Sequence, residues 1–149
     1  MNDREIYMRE ALRLAEEAAA CGDVPVGCMI ADAHGNIIGR GRNRREENRD
    51  ATAHAEVEAI REACRRRGSW RLDDCTLFVT LEPCPMCAGA IINARIPVVV
   101  FGAREENSGS CGSVIDLFAE RYGHSPKVYS GVCAEESRLL LRGFFEGRR

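Results

Sequence analysis

Cys75-Thr76-Leu77-Phe78-Val79-Thr80-Leu81-Glu82-Pro83-Cys84-Pro85-Met86-Cys87-Ala88-Gly89-Ala90-Ile91-Ile92-Asn93-Ala94-Arg95-Ile96-Pro97-Val98-Val99-Val100-Phe101 reads as strand, helix, strand, and that order decides the fold class. Cys75 to Leu81 alternates and is rich in Thr, Phe and Val, the composition of a pleated strand. It enters Glu82-Pro83-Cys84, after which a helix is predicted over about Pro85 to Ala94. Val98 to Phe101 is a fully apolar strand.

Toward the N-terminus, helical spacing covers His54 to Arg67 through Val57, Ile60, Ala63 and Cys64, with Gly68 as its stop. The polar, Arg-rich segment Asn43 to Asp50 before it suits a loop. Further back, Val26 to Ala31 and Ile37-Ile38 flank the turn His34-Gly35-Asn36 and predict a hairpin that runs toward Gly39-Arg40-Gly41. An amphipathic helix capped by Asn2 or Asp3 opens the chain and stops at Gly22. Toward the C-terminus the pattern predicts a loop over Gly102 to Gly112, a short helix over Val114 to Ala119, a strand over Val128 to Val132, and a helix over Ala134 to Phe145. Strands alternating with helices after one hairpin predict an α/β fold with three layers, α/β/α, around a central mixed five-stranded sheet. Without repeats, low-complexity tracts or a long linker, residues 1–149 are read as a single domain.

Composition narrows the function classes. At 45% hydrophobic and 30% charged residues, the chain is too apolar for a disordered tail. Its best apolar run, Pro97 to Gly102, falls far short of the ~20 residues of a spanning helix, so no membrane partner is expected. Met1 to Glu5 has no apolar region behind it, and the cytoplasm is the expected location. A net charge of −2 excludes a strongly basic nucleic-acid binder but leaves room for local patches. Lys127 is the only Lys, and the Arg residues suit bidentate phosphate contacts. Eight cysteines in a cytosolic-looking chain point to metal, redox or packing roles rather than disulfides. Only Cys84 and Cys87 form a C-x-x-C pair, so Cys21, Cys28, Cys64, Cys75, Cys111 and Cys133 are assigned to packing.

His54 at the start of one helix, with Cys84 and Cys87 at the start of the next, forms a candidate metal set. Cysteines at i and i+3 on a helix can reach one ion, and helix N-termini stabilise the thiolates a metal requires. Zinc fits one imidazole and two thiolates, and three protein ligands leave a fourth position for water, the mark of a catalytic site. Glu56 is then the candidate catalytic acid and base, taking a proton from that water and returning it to a leaving group. Ideal helical spacing separates positions i and i+2, so the His54–Glu56 pair works only at a helix end. His34 and His124 sit in turn-like contexts and are read as surface residues.

His54-Ala55-Glu56 followed by Pro83-Cys84-Pro85-Met86-Cys87 matches the zinc nucleobase-deaminase signature, whose known examples include the TadA family. The chain resembles the bacterial tRNA adenosine deaminases of the TadA type, within the cytidine deaminase-like fold. The resemblance extends to Asp23-Val24-Pro25-Val26-Gly27, Asn43-Arg44, Asp50 to Ala53, Thr80-Leu81-Glu82, Ala88-Gly89-Ala90, Phe101-Gly102-Ala103 and Phe144-Phe145. It implies one zinc per subunit on His54, Cys84 and Cys87, with Glu56 moving protons to the adjacent purine nitrogen and then to the departing ammonia, giving inosine. It also implies that Asn43 hydrogen-bonds the base, that the Ala55 backbone orients it, and that the chain is a homodimer. The implied substrate is the wobble adenosine in the anticodon stem-loop of an arginine tRNA, an unpaired base that enters a pocket at little unstacking cost.

Two departures bear on substrate choice. In the loop after Phe-Gly-Ala, where the family carries Asp and then Lys, this chain has Glu105 and Asn107. Where the family carries a longer basic tail, the sequence stops at Arg148-Arg149. RNA contacts are therefore expected from Glu105 in the loop and from Arg44, Arg45, Arg49, Arg104, Arg142, Arg148 and Arg149. The alternatives are a free-base or nucleoside deaminase acting on guanine or cytosine, and a zinc-stabilised binding module. The latter needs a fourth protein ligand and leaves Glu56 without a task.

Overall fold

In the computed structural model, which describes residues 1–148, helix α1 (Asp3–Ala20) is followed by the hairpin β1 (Gly27–Ala31) and β2 (Ile37–Arg42). Then come α2 (Arg45–Asn48), α3 (Ala55–Arg67), β3 (Thr76–Leu81), α4 (Pro85–Ala94) and β4 (Val98–Ala103). A 3-10 turn at Leu117–Ala119, strand β5 (Lys127–Tyr129) and α5 (Ala134–Glu146) complete the order. Arg149, one of the expected RNA contacts, lies outside the described residues. The five strands form one mixed sheet in the order β2-β1-β3-β4-β5, with β1 antiparallel to both neighbours and β3, β4 and β5 mutually parallel.

Each central strand buries both faces, which explains why β1 and β4 show no polar alternation. Met29, Phe78 and Val100 point to one side and pack with Met8 and Ala11 of α1. Cys28, Ile30, Leu77, Val79, Val99 and Phe101 point to the other, where they meet Ala55, Ala59 and Ala63 of α3 and Ala88, Ile91 and Ile92 of α4. The small side chains of α3 matter because it presses directly onto β2. A Cβ on Gly41 would overlap the Ala55 carbonyl oxygen and lie 2.7 Å from the Ala59 nitrogen.

The observed elements depart from the predicted ones at five places. The β2 strand continues through Gly39 and Gly41 to Arg42, because these glycines are where α3 rests rather than where the chain turns. Within Asn43 to Asp50, α2 forms one helical turn, since the buried Asp23 carboxylate accepts from Glu46 N–H at 2.7 Å and Glu47 N–H at 3.1 Å. Gly102 and Ala103 extend β4, with Ala103 paired to Leu81. Of Val114 to Ala119 only the last three residues turn helically, capped by the Asp116 side chain. The β5 strand ends at Tyr129, because Gly131 turns at φ 83 and donates to the Gly102 carbonyl at 3.1 Å. No helix among the described residues is long and apolar enough to cross a membrane.

Gly41→Ala should lower the unfolding free energy in urea by about 1–3 kcal/mol, the usual range for forcing an extra carbon into close packing. An unchanged denaturation midpoint would show that α3 can shift off β2 at no cost.

Candidate active site

Two helices begin where the sheet ends. The carboxyl end of β3 leads through Glu82-Pro83 into α4, with Cys84 as its N-cap residue, and His54 occupies the same position on α3. Neither side chain caps its own helix, so both are free for other contacts. His54 Nδ1 lies 3.6 Å from Cys84 Sγ and 3.5 Å from Cys87 Sγ, and the three donor atoms fall within 4.8 Å of one another. Tetrahedral zinc, with ordinary Zn–N and Zn–S lengths, sets an N···S edge of about 3.5 Å. The separations therefore fit zinc, and the described residues bring no fourth His, Cys, Asp or Glu to the cluster.

The charges agree with the geometry. The neighbouring Cys87 thiol, against the opposing effect of burial, holds the Cys84 thiol down at about 4; the same proximity pushes Cys87 up. A thiolate at Cys84 also sits at the N-terminal end of α4, where the helix dipole favours negative charge. Glu56, only 4% exposed, is pushed up to about 7, chiefly by burial, with the charge of Cys84 adding to it and His54 opposing. The i, i+2 separation of His54 and Glu56 is bridged by placing His54 in extended backbone, φ −78 and ψ 154, and Glu56 within the first helical turn.

A cavity of about 220 Å³ opens onto these groups. That is below the range for drug-sized ligands and suits a single base. It is lined by Val24, Val26, Asn43 and Arg45, by His54, Ala55, Glu56 and Cys84, by Leu81, Glu82, Glu105 and Ser108, and by Phe145 of α5. Asn43 is 8% exposed; its Nδ2 donates to the Val24 carbonyl at 3.3 Å and its Oδ1 accepts from Arg45 N–H at 3.2 Å. Those two contacts use one of its two amide hydrogens. Ala55 opens α3, where first-turn amides have no partner within the helix.

Of the residues singled out from the sequence, His54, Glu56, Cys84, Asn43, Arg45, Ala55 and Glu105 line this cavity, with Cys87 fully buried beside His54 and Cys84. Arg44 and Arg104 lie elsewhere. Arg44 pairs with Glu47 at 2.5 Å and lines a separate polar hollow with Arg40, Arg42 and Arg65. Arg104 reaches Ser130 Oγ at 3.5 Å, with its guanidinium 5.7 Å from the Phe101 ring. His34 is exposed, whereas His124 is half-buried, with Nε2 2.7 Å from the Ile96 carbonyl oxygen. No pocket role was expected for Val24, Val26, Leu81, Glu82, Ser108 or Phe145. Val24, Val26, Leu81, Glu82 and Phe145 lie within stretches that carried the family resemblance, and Ser108 had no local signal.

Residues 1–103 match the model of the cytidine and deoxycytidylate deaminase zinc-binding region. A protein named tRNA-specific adenosine deaminase from Bacillus subtilis is 45% identical over all of this chain and 92% of its own length. A protein named tRNA(Ile)-lysidine synthase from Deinococcus radiodurans is 51% identical over 93% of this chain, which spans only 24% of that relative. Among solved structures, one from studies of A-to-I editing by tRNA:A34 deaminases at the wobble position superposes with a TM-score of 0.87 at 41% identity. It covers 91% of this chain and 99% of its own.

Metal analysis should find one zinc per chain. Cys87→Ala should lose it, whereas Glu56→Ala should keep it and lose turnover by a factor of about 10²–10⁴, the usual worth of a positioned acid–base group. A Glu56→Ala protein of wild-type activity would overturn the assignment.

Proposed function

The chain belongs to the family of cytidine and deoxycytidylate deaminase zinc-binding regions, and on that premise we propose that it hydrolyses adenosine to inosine in tRNA. The observation that carries the reading is Glu56, a buried carboxyl on a one-base cavity beside three zinc donors. Bound at His54, Cys84 and Cys87, zinc supplies a water made acidic enough to lose its proton near neutrality. Glu56 takes that proton and passes it to the ring nitrogen beside the reacting carbon. The oxygen of that water bonds to the carbon bearing the amino group, its second proton follows through Glu56 to that amino group, and the C–N bond breaks to release ammonia and leave the carbonyl of inosine.

The other residues bind and orient. Asn43 offers its uncommitted amide hydrogen to the base, and Ala55 offers a first-turn amide. Glu105 and Ser108 line the same cavity and face the nucleotide there. Phe145, 52% exposed, and the exposed Arg45 offer a stacking ring and a phosphate contact beyond the base itself. A free base uses neither, which favours a polynucleotide. The wobble adenosine of an arginine tRNA anticodon stem-loop is the substrate we assign. Support comes from the names of the Bacillus relative and the solved neighbour. Arg44 and Arg104, exposed outside the cavity or partly so, are assigned to the RNA backbone.

A homodimer fits the exposed apolar residues Met86 of α4 and Val114 and Ile115 of the loop before the 3-10 turn. We read the described residues as one deaminase domain working in the cytoplasm, where tRNA is available.

A purified tRNA pool should yield inosine at the first anticodon position of an arginine tRNA, while guanine and cytosine release no ammonia. Ammonia from a free base with no inosine in tRNA would transfer the same chemistry to the free-base reading. Activity at subsaturating tRNA should fall steeply with salt, and Arg45→Ala should reduce the log–log slope by about one. Light scattering at micromolar concentration should give twice the chain mass; a monomer would count against the dimer.

A further inference from the structure

Glu82 is a buried carboxylate for which the deamination chemistry has no use. It is 2% exposed, yet it accepts four hydrogen bonds from a single segment. Oε1 takes Glu105 N–H at 3.0 Å and the Ser113 hydroxyl; Oε2 takes Cys111 N–H at 3.0 Å and Ser113 N–H at 3.1 Å. The main chain is joined at the same place, with Glu82 N–H donating to the Ala103 carbonyl at 2.8 Å and Ser110 N–H to the Pro83 carbonyl at 2.9 Å. A Cβ on Gly109 would overlap both Glu82 Cδ and the Glu105 carbonyl oxygen, so glycine is what lets the segment close over the carboxylate.

We propose that Glu82 is a positioning residue for substrate recognition: it ties segment 105–113, which carries the pocket residues Glu105 and Ser108, to the backbone leading into the zinc donor Cys84. The role deepens the RNA deaminase reading and rests on it for its kinetic consequence.

The chemistry explains why the residue is Glu rather than Gln. An ionised carboxylate offers two acceptors and no donor, which matches four converging donors, three of them backbone amides that cannot turn away. Glutamine keeps the size but presents an NH₂ group to one pair of donors. Set against Cys111 and Ser113 N–H, it strands two amides. Set on the other side, it strands only Glu105 N–H, because the Ser113 hydroxyl can rotate to accept. The second arrangement costs less, so the damage from Glu82→Gln falls on Glu105 and the pocket wall. None of the hydrogen bonds of Glu82 goes to His54, Cys84 or Cys87.

Zinc content, kinetics on an anticodon stem-loop RNA and amide hydrogen exchange across 105–113 test the tether in Glu82→Gln. Zinc should stay at the wild-type level, KM should rise about tenfold with kcat within about threefold, and the Glu105 amide should exchange about a hundredfold faster. Ser113→Ala, which removes one donor and leaves the three amides, should raise KM about threefold with zinc unchanged, and carries the test if Glu82→Gln does not fold. Wild-type KM and wild-type exchange at Glu105 in either folded variant would overturn the proposal. So would loss of zinc with unaltered exchange, which would place Glu82 in the service of the metal loop. The exchange measurement needs no substrate, so it decides the tether even if the chain deaminates no RNA and the proposed function fails.

Discussion

The contact of His54 Nδ1 with the sulfurs of Cys84 and Cys87, at 3.6 and 3.5 Å, ties the first turns of α3 and α4 together at the carboxyl end of β3. Two helix N-termini that converge bring two positive dipole ends together, an arrangement that needs negative charge between them. The Cys84 thiolate, held low by Cys87 and His54, supplies it. The approach is possible because α3 presents Ala55, Ala59 and Ala63 to a strand that carries Gly41 at the contact. A bulkier strand residue would hold α3 off the sheet and carry His54 away from the sulfurs. The donor geometry at the pocket is thus a consequence of small residues packed along the length of α3.

The walls of the pocket depend on a second device, used twice. Asp23 and Glu82 are buried carboxylates, and each accepts backbone N–H groups from a segment more than twenty positions further along the chain. Asp23 holds the turn behind Asn43 and Arg45; Glu82 holds the segment of Glu105 and Ser108. Charge-assisted hydrogen bonds to fixed amides are stronger than neutral ones, so walls with little regular structure can be as well placed as the helices. In Glu82 the hydrogen bonds outweigh the cost of burial and keep the carboxyl below its ordinary range. Glu56 shows the converse, because burial dominates there and leaves a carboxyl able to hold a proton.

Among the other cysteines, Cys28 and Cys75 are packed as the sequence suggests, whereas Cys21 is exposed. Burial drives the Cys28 thiol well up, with the charge of Glu56 adding to it, and pushes Cys75 up to about 12. Thiols held protonated in this way are inert and behave as small apolar side chains. The described structure places both in the core between the sheet and α3 and α4.

Strand, helix, strand over Cys75 to Phe101 was legible from composition, and so was the α/β class, because β-branched runs and helical spacing are local properties. His54, Glu56, Cys84 and Cys87 were legible as well, since their chemistry lies in residue type and short spacing. The one turn of α2 was not legible, because its cap, Asp23, lies more than twenty residues away. Nor was the passage of β2 through Gly39 and Gly41, whose glycines suggest a turn until α3 is seen to rest on them. Ser108 and Phe145 reach the pocket only because distant segments fold beside it, and Arg44 and Arg104 leave it for Glu47 and Ser130. The sequence by itself determined which groups are candidates for chemistry, because residue type sets reactivity. Only the tertiary structure decided which groups share a cavity, because that depends on contacts between segments far apart in the chain.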